Sequence, residues 1–443
     1  MRQLLLLLAV PAFIHAQLTG AYAITGGTLI DGYGGPPVRD AVIVVDGERI
    51  IAAGARGQVV IPAGAQIISA DGMSVLPGLW DMHVHLMLSG HSDYEHWDKT
   101  YPSQFGPVIM PASARQLLMA GVTSARDLGA PLAASINVRE RIRKGEVSGP
   151  TLYVSGPFLQ HEPYPGTELF RWGVNGVGDA RAKVRQLATA GVDTIKLIDQ
   201  DQMSMDEVNA IVDEAHKAKL TVVGHAHRPV EILRGLEAGV DCFEHTGMAT
   251  APEYPAEVMA ALKARTARGG GAGPLFWTPT VSVLFNYDYL RTHPVVLDDT
   301  RWHEGLPPPI IEDIRQSIAN PERLAYYAQV PYRKPTLRHK FDQLRESGVM
   351  MLIGTDSGVP MTFHSQSTWN ELDVWVNHMG VDPMDAIRAA TYWPAVMMRA
   401  SKDSGTIEAG KYADIIAVRG DVLRHIDLLS RVDVVIKHGK RYK

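Results

Sequence analysis

From about Leu79 to Arg399, short apolar runs alternate with longer stretches in which apolar residues recur at helical spacing. The runs predict strands over Leu79–His85, Val122–Asp127, Thr151–Ser155, Thr194–Ile198, Thr221–His225, Asp241–His245, Phe276–Val281 and Met350–Asp356. Strands alternating with helices belong to βα repeats on a parallel sheet, and eight of them is the strand number of a TIM barrel. Three strands are introduced by the same phrase, Ala120-Gly121-Val122, Ala190-Gly191-Val192 and Ala238-Gly239-Val240. In each the glycine suits a left-handed helix cap and the valine enters the strand.

The two ends have a different texture. Tyr22–Gly32 and Ala41–Gly54 are β-rich runs broken by Gly and Asp turns, and Ala413–Val418 and Val432–Gly439 repeat that pattern. Both ends are expected to build one small β-sandwich into which the central segment is inserted, since a closed barrel can bring its own ends together. The fold class expected is therefore α/β: a (β/α)8 TIM barrel over 79–399, with a β-sandwich formed from 17–78 and 400–443. Residues 1–16 stand apart, with Arg2 before the apolar run Leu4–Val10 and a small-residue close at Ile14-His15-Ala16. This reads as a secretory signal peptide, too short in its apolar part to span a bilayer, and implies a secreted or periplasmic protein. The long segment 282–345 carries Phe285, Tyr287, Tyr289, Trp302, Tyr326, Tyr327 and Tyr332. It suits a helical lid at the barrel rim or a homo-oligomer interface equally well.

Composition narrows the choice of partner. With 443 residues, 46% apolar and 21% charged, the chain has enough apolar material for a large core. A net charge of −5 without a basic run excludes a nucleic-acid footprint and gives no reason for membrane attachment once the signal is removed. The single cysteine, Cys242, excludes an internal disulfide and reads as a buried small hydrophobe.

The ionisable residues fall where chemistry would be expected, at the C-terminal ends of the strands. His83 and His85 close the first strand two residues apart, so both imidazoles face the same side and can meet one metal ion. His225 ends the fifth strand, His245 the sixth and Asp356 the eighth, each after an apolar run. Lys196 sits among Ile195, Leu197 and Ile198 on the fourth, where a bare ammonium is costly to bury. It requires either a carboxylate such as Asp193 or Asp199, an alkyl stem reaching the rim, or reaction of its desolvated amine with carbon dioxide to give a metal-bridging carbamate. His227 shares the parity of His225 and suits substrate contact or the orientation of a ligand. His91 and His96 read as solvated loop histidines, and the loop 161–166 with Arg171 and Trp172 shapes the pocket without an assigned role.

These residues, with the phrases Pro77-Gly78-Leu79-Trp80-Asp81-Met82-His83-Val84-His85, Gly354-Thr355-Asp356 and Gly405–Asp414, resemble the amidohydrolase superfamily. The resemblance covers nearly the whole chain beyond the signal and is nearest to the imidazolonepropionase-like branch, which includes metal-dependent dipeptidases. It implies two divalent ions, zinc first among them, with His83, His85 and Asp356 on one and His225 and His245 on the other. N-carboxylated Lys196 and a hydroxide would bridge them, and Asp356 would accept the nucleophile's proton and return it to the leaving amine. The implied activity is hydrolysis of amide bonds in small molecules such as dipeptides or N-acyl amino acids. A mononuclear deaminase or cyclic-amide hydrolase, a lactone or carbamate hydrolase, and a non-catalytic scaffold are the alternatives. The deaminase has no need of the lysine, and a scaffold would be expected to have lost ligands that are all present here.

Overall fold

The computed structural model describes residues 20–246, 250–267, 273–320 and 324–443. The signal-like residues 1–16 lie outside the described residues.

Strands from the two ends of the chain pair with each other. Met73–Pro77 runs antiparallel to Ile415–Arg419, with Leu76 opposite Ile416, and Thr28–Leu29 and Val434–Lys437 extend the same sheet on either side. A second sheet orders Arg49–Ala55, Ala41–Asp46, Tyr22–Thr25 and Gln66–Ser69. Ile24, Ile43, Val45, Val75, Ile415 and Ile436 from both sheets form one buried cluster between them. The residues between them are also buried, Ala23, Val42 and Val44 in one small cluster and Leu76, Ile416 and Val435 in the main core, so both faces of these strands are covered.

The central segment forms parallel strands joined by helices. Leu79–Val84, Val122–Asp127 and Thr151–Val154 pair in order, and Thr194–Leu197, Thr221–His225, Cys242–Glu244, Phe276–Thr278 and Met350–Met351 pair in order in a second sheet. Hydrogen bonds also run between the first and eighth strands, from Met82 N to Ile353 O (3.0 Å) and from Thr355 N to His83 O (3.3 Å). Between the third and fourth, Asp193 N donates to Val154 O (2.8 Å). The helices Met110–Met119, Gly176–Ala190 and Pro229–Ala238 end at Gly121, Gly191 and Gly239, whose φ values of 95°, 84° and 90° are left-handed, as the repeated Ala-Gly-Val phrase predicts.

Three features depart from the sequence reading. The seventh and eighth strands are shorter than predicted, ending at Thr278 and Met351, although single hydrogen bonds from Leu352 N to Trp277 O and from Met82 N to Ile353 O carry the pairing a little further. The connection after the third strand contains an unforeseen pair of short parallel strands, Phe158–Gln160 and Arg171–Gly173. In the 282–345 segment, the helices Ser282–Thr292, Pro308–Ile318 and Val330–Glu346 bury Tyr287 and Trp302 in the main core, with Tyr287 stacked on Tyr327 (5.1 Å) and Trp302 tilted against Phe363 (4.8 Å). Tyr289 and Tyr332 remain exposed. Among the described residues no helix is long and apolar enough to cross a membrane.

Candidate metal centre

The parallel strands deliver their last residues to one place. Nε2 of His83 lies 3.3 Å from Nε2 of His85 and 3.3 Å from Oδ1 of Asp356, while His85 Nε2 lies 3.0 Å from the same oxygen. The ring of His245 is 4.9 Å from those of His83 and His225 and 4.6 Å from that of His227, on which it stacks at 13°. Two groups of donor atoms result, His83 with His245 and Asp356, and His225 with His227 and His245, each within 4.8 Å of one another. His227, read from the sequence as a substrate contact or orienting residue, thus joins the histidines of the fifth and sixth strands, and His245 stands between the two groups.

Backbone geometry explains the convergence. His245 and Asp356 have φ of 76° and 57°, the left-handed region that few non-glycine residues adopt and that Asp and His enter more readily than most. At Gly354, an added Cβ would lie 2.3 Å from Thr278 Cγ2 and 2.8 Å from the His83 backbone nitrogen, so only glycine lets the eighth strand approach the first this closely. Asp81 secures the same junction by accepting from His83 N, Thr355 N, Thr355 Oγ1 and Thr368 Oγ1 at 2.7–3.2 Å.

A set of buried partners escaped the sequence reading. Glu244, fully buried one residue before His245, contacts His83 Nδ1 at 2.8 Å and accepts from Arg126 Nη2 at 2.6 Å. Burial would raise the Glu244 carboxyl, but the Arg126 guanidinium and His83 outweigh it and hold the pKa at about 2. The anion can then fix His83 with its proton on Nδ1 and its Nε2 turned to the site. Thr280 Oγ1 contacts Nδ1 of His245 at 2.8 Å in the same manner. Glu231 accepts from the backbone nitrogens of His227 and Arg228 (2.7 and 2.8 Å), bracing the turn that carries His227. The signal for Glu244 and Arg126 was their charge at the ends of apolar strands, the criterion that singled out the histidines.

Of the alternatives open to Lys196, pairing with Asp193 or Asp199 is not what the structure shows. Its side chain is fully buried, and Nζ has no hydrogen-bond partner among the described residues. Asp193 is taken by Arg139 (2.9 Å) and Asp199 by Arg228 (2.7 Å), so neither carboxylate pairs with it. Burial pulls its pKa down to about 8, against the opposing pull of Glu244 and Asp356. Burial likewise lowers His83 to about 4 and His225 and His245 well below the ordinary range, so the imidazoles are neutral, the form that binds metal. For Asp356, burial acts upward but His83, His85 and Lys196 prevail and hold it at about 2. Neutral imidazoles, an ionised carboxylate, the Nε2 of His85 beside Asp356 and buried unpartnered nitrogens on Lys196, His225 and His227 fit divalent cations such as zinc. Among the loop histidines, His96 is exposed beside Asp313 (2.8 Å). His91 is buried and stacked on Trp97 (4.1 Å), contrary to its reading as solvated. Cys242 is buried and its thiol is pushed up by burial.

Histidines and a carboxylate gathered at the C-terminal ends of parallel strands define a hydrolase with a potential divalent-metal centre. The chain belongs to the amidohydrolase family, whose profile matches residues 74–442, and is an enzyme acting on carbon–nitrogen amide bonds. It is 25% identical to the ochratoxinase of Aspergillus niger over 476 residues, covering 97% of this chain and 87% of that one. Among solved structures, a putative prolidase from Bifidobacterium longum is 26% identical with a TM-score of 0.73, covering 96% of this chain and 95% of that one. A prolidase solved with N-methylphosphonate-L-proline is 26% identical with a TM-score of 0.74, covering 96% and 99%.

Proposed function

We propose that this chain is an exported, binuclear metal-dependent hydrolase that cleaves amide bonds in dipeptides or N-acyl amino acids at the mouth of a closed (β/α)8 barrel. The sandwich from 17–78 and 400–443 would carry that barrel at its base. The observation that carries the binuclear reading is Lys196 Nζ, buried without a hydrogen-bond partner within the electrostatic reach of His83, His225, His245 and Asp356. Attack of the neutral amine on carbon dioxide would form one N–C bond, open one C=O π bond and release one proton, giving a carbamate that would supply anionic oxygen to the metal ions. In this reading His83, His85 and Asp356 would hold one ion, His225 and His245 the other, and carboxylated Lys196 would be shared by both. Bound there, two divalent ions supply a nucleophile near neutral pH and polarise the scissile carbonyl.

The chain's own groups do the rest. Glu244 keeps His83 in one tautomer, and Asp81 keeps the strand carrying His83 against the strand carrying Asp356. Asp356 takes the proton of the attacking water on a carboxylate oxygen and returns it to the leaving amine. His227, at the edge of the cluster, meets the substrate's developing oxyanion. The relatives support the substrate class, since the prolidase was solved with a proline phosphonate.

Metal analysis of the purified protein, joined to hydrolysis assays across dipeptides, N-acyl amino acids and lactones, tests the proposal. Two ions per chain and turnover of an amide are expected, with both lost in Lys196→Ala. A fully active one-metal Lys196→Ala enzyme would overturn the bridged site, and ring deamination without amide cleavage would replace the function.

A further inference from the structure

Close to the cluster stands a partly buried arginine, Arg171, that forms no ion pair with any carboxylate among the described residues. Arg171 lies opposite Phe158 in the short parallel pair that follows the third strand. Its guanidinium carbon is 4.6 Å from the centre of the Tyr164 ring, 5.1 Å from Phe158 and 5.7 Å from Phe170. The Phe158 ring in turn is 5.8 Å from the ring of His85, so a single aromatic side chain separates the guanidinium from the candidate metal ligands. Nη1 donates to Gln160 Oε1 at 3.0 Å, and Nε is buried without a partner.

Among the described residues no carboxylate forms an ion pair with Arg171. Asp98 and Asp199 act on it only at longer range, and Asp199 is held by Arg228 and by the Tyr164 hydroxyl (3.4 Å). Arg126 shows the usual solution nearby, with Glu244 at 2.6 Å. A cation drawn partly out of water without a carboxylate in contact is under-compensated, and stacking on aromatic faces offsets only ~0.5–2 kcal/mol. Burial pulls the Arg171 pKa down, yet a guanidinium starts so high that it stays charged. The arrangement suits an organic anion: a planar fork of donors matches a carboxylate, and the aromatic faces around it match an apolar side chain.

We propose that Arg171 binds a carboxylate on the substrate's leaving amino acid, so that N-acyl amino acids and dipeptides with a free C-terminus are preferred over their neutral amides. This rests on the amide-hydrolase reading above and adds to it the chemical feature that selects the substrate.

The test compares N-acetyl-L-phenylalanine with its carboxamide as substrates of the metal-loaded enzyme. A KM advantage of ~10–100-fold for the acid is expected, the size of a hydrogen-bonded charge pair. Arg171→Met should collapse that ratio by raising the KM of the acid while its kcat is kept, and Arg171→Lys should retain part of it. Equal KM values in the wild type, or an Arg171→Met effect equal on acid and amide, would overturn the proposal. Thermal melts establish that each variant folds; if Arg171→Met does not, Arg171→Lys and Arg171→Gln carry the same comparison. Calorimetric titration of N-acetyl-L-phenylalanine into the protein provides a readout independent of turnover. Arg171-dependent binding without hydrolysis of any amide leaves the carboxylate site standing and removes the proposed function. Hydrolysis without preference for the acid does the reverse.

Discussion

The two sides of the histidine cluster are built on different principles. On the side of the first, sixth and eighth strands, the protein holds its own ligands: Glu244 meets His83, Thr280 meets His245, and Asp81 bolts the His83 strand to the Asp356 strand. On the side of the fourth and fifth strands, Lys196 Nζ and Nδ1 of both His225 and His227 are buried with no hydrogen-bond partner, a condition that only Nδ1 of His85 shares among the ligand candidates of the first side. Polar groups removed from water are ordinarily paired, so the first side is preorganised and the second is completed by what it binds.

The comparison can be broken most severely at Lys196. Lys196→Ala should lose ~10³-fold or more in kcat together with its metal, since a bridged site contributes several kcal/mol to the transition state. Parallel metal analysis and steady-state kinetics read both losses. Zinc added to metal-free protein should raise its melting temperature, by the equivalent of ~2.7 kcal/mol at a hundredfold excess over Kd. His225→Ala, which removes a ligand from the unpaired side, should abolish most of that shift in a calorimetric melt. Glu244→Gln addresses the preorganised side. Gln can accept from His83 or from Arg126 but then turns an NH2 toward the other, and zinc affinity measured by competition with a chromogenic chelator should fall ~10–100-fold. The smallest effect belongs to His96→Ala, exposed beside Asp313, which should leave metal content unchanged and alter stability by less than ~0.5 kcal/mol in urea unfolding.

The same contrast marks what could be read from the residues in order. The parity of His83 and His85, the strand-end positions of His225, His245 and Asp356, and the lysine embedded at 195–198 were all visible, because periodicity reports which face of a strand a side chain occupies. The pairing of Glu244 with His83 was not, since the two are 161 residues apart and nothing in either strand names its neighbour. His91 was misread for a related reason: a histidine in a polar loop has no periodicity, and stacking on Trp97 depends on how the loop folds back.

The sequence by itself determined the alternation of strands and helices, the β-rich ends, the family and the residues able to carry metal chemistry, since all of these are local patterns of burial and spacing. Tertiary structure alone decided which buried charges compensate one another. Glu244 anchors Arg126, Arg139 takes Asp193 and Arg228 takes Asp199, which leaves Lys196 and Arg171 without carboxylate partners among the described residues. Electrostatic pairing acts through space over a few ångströms, and only the closed fold sets those distances.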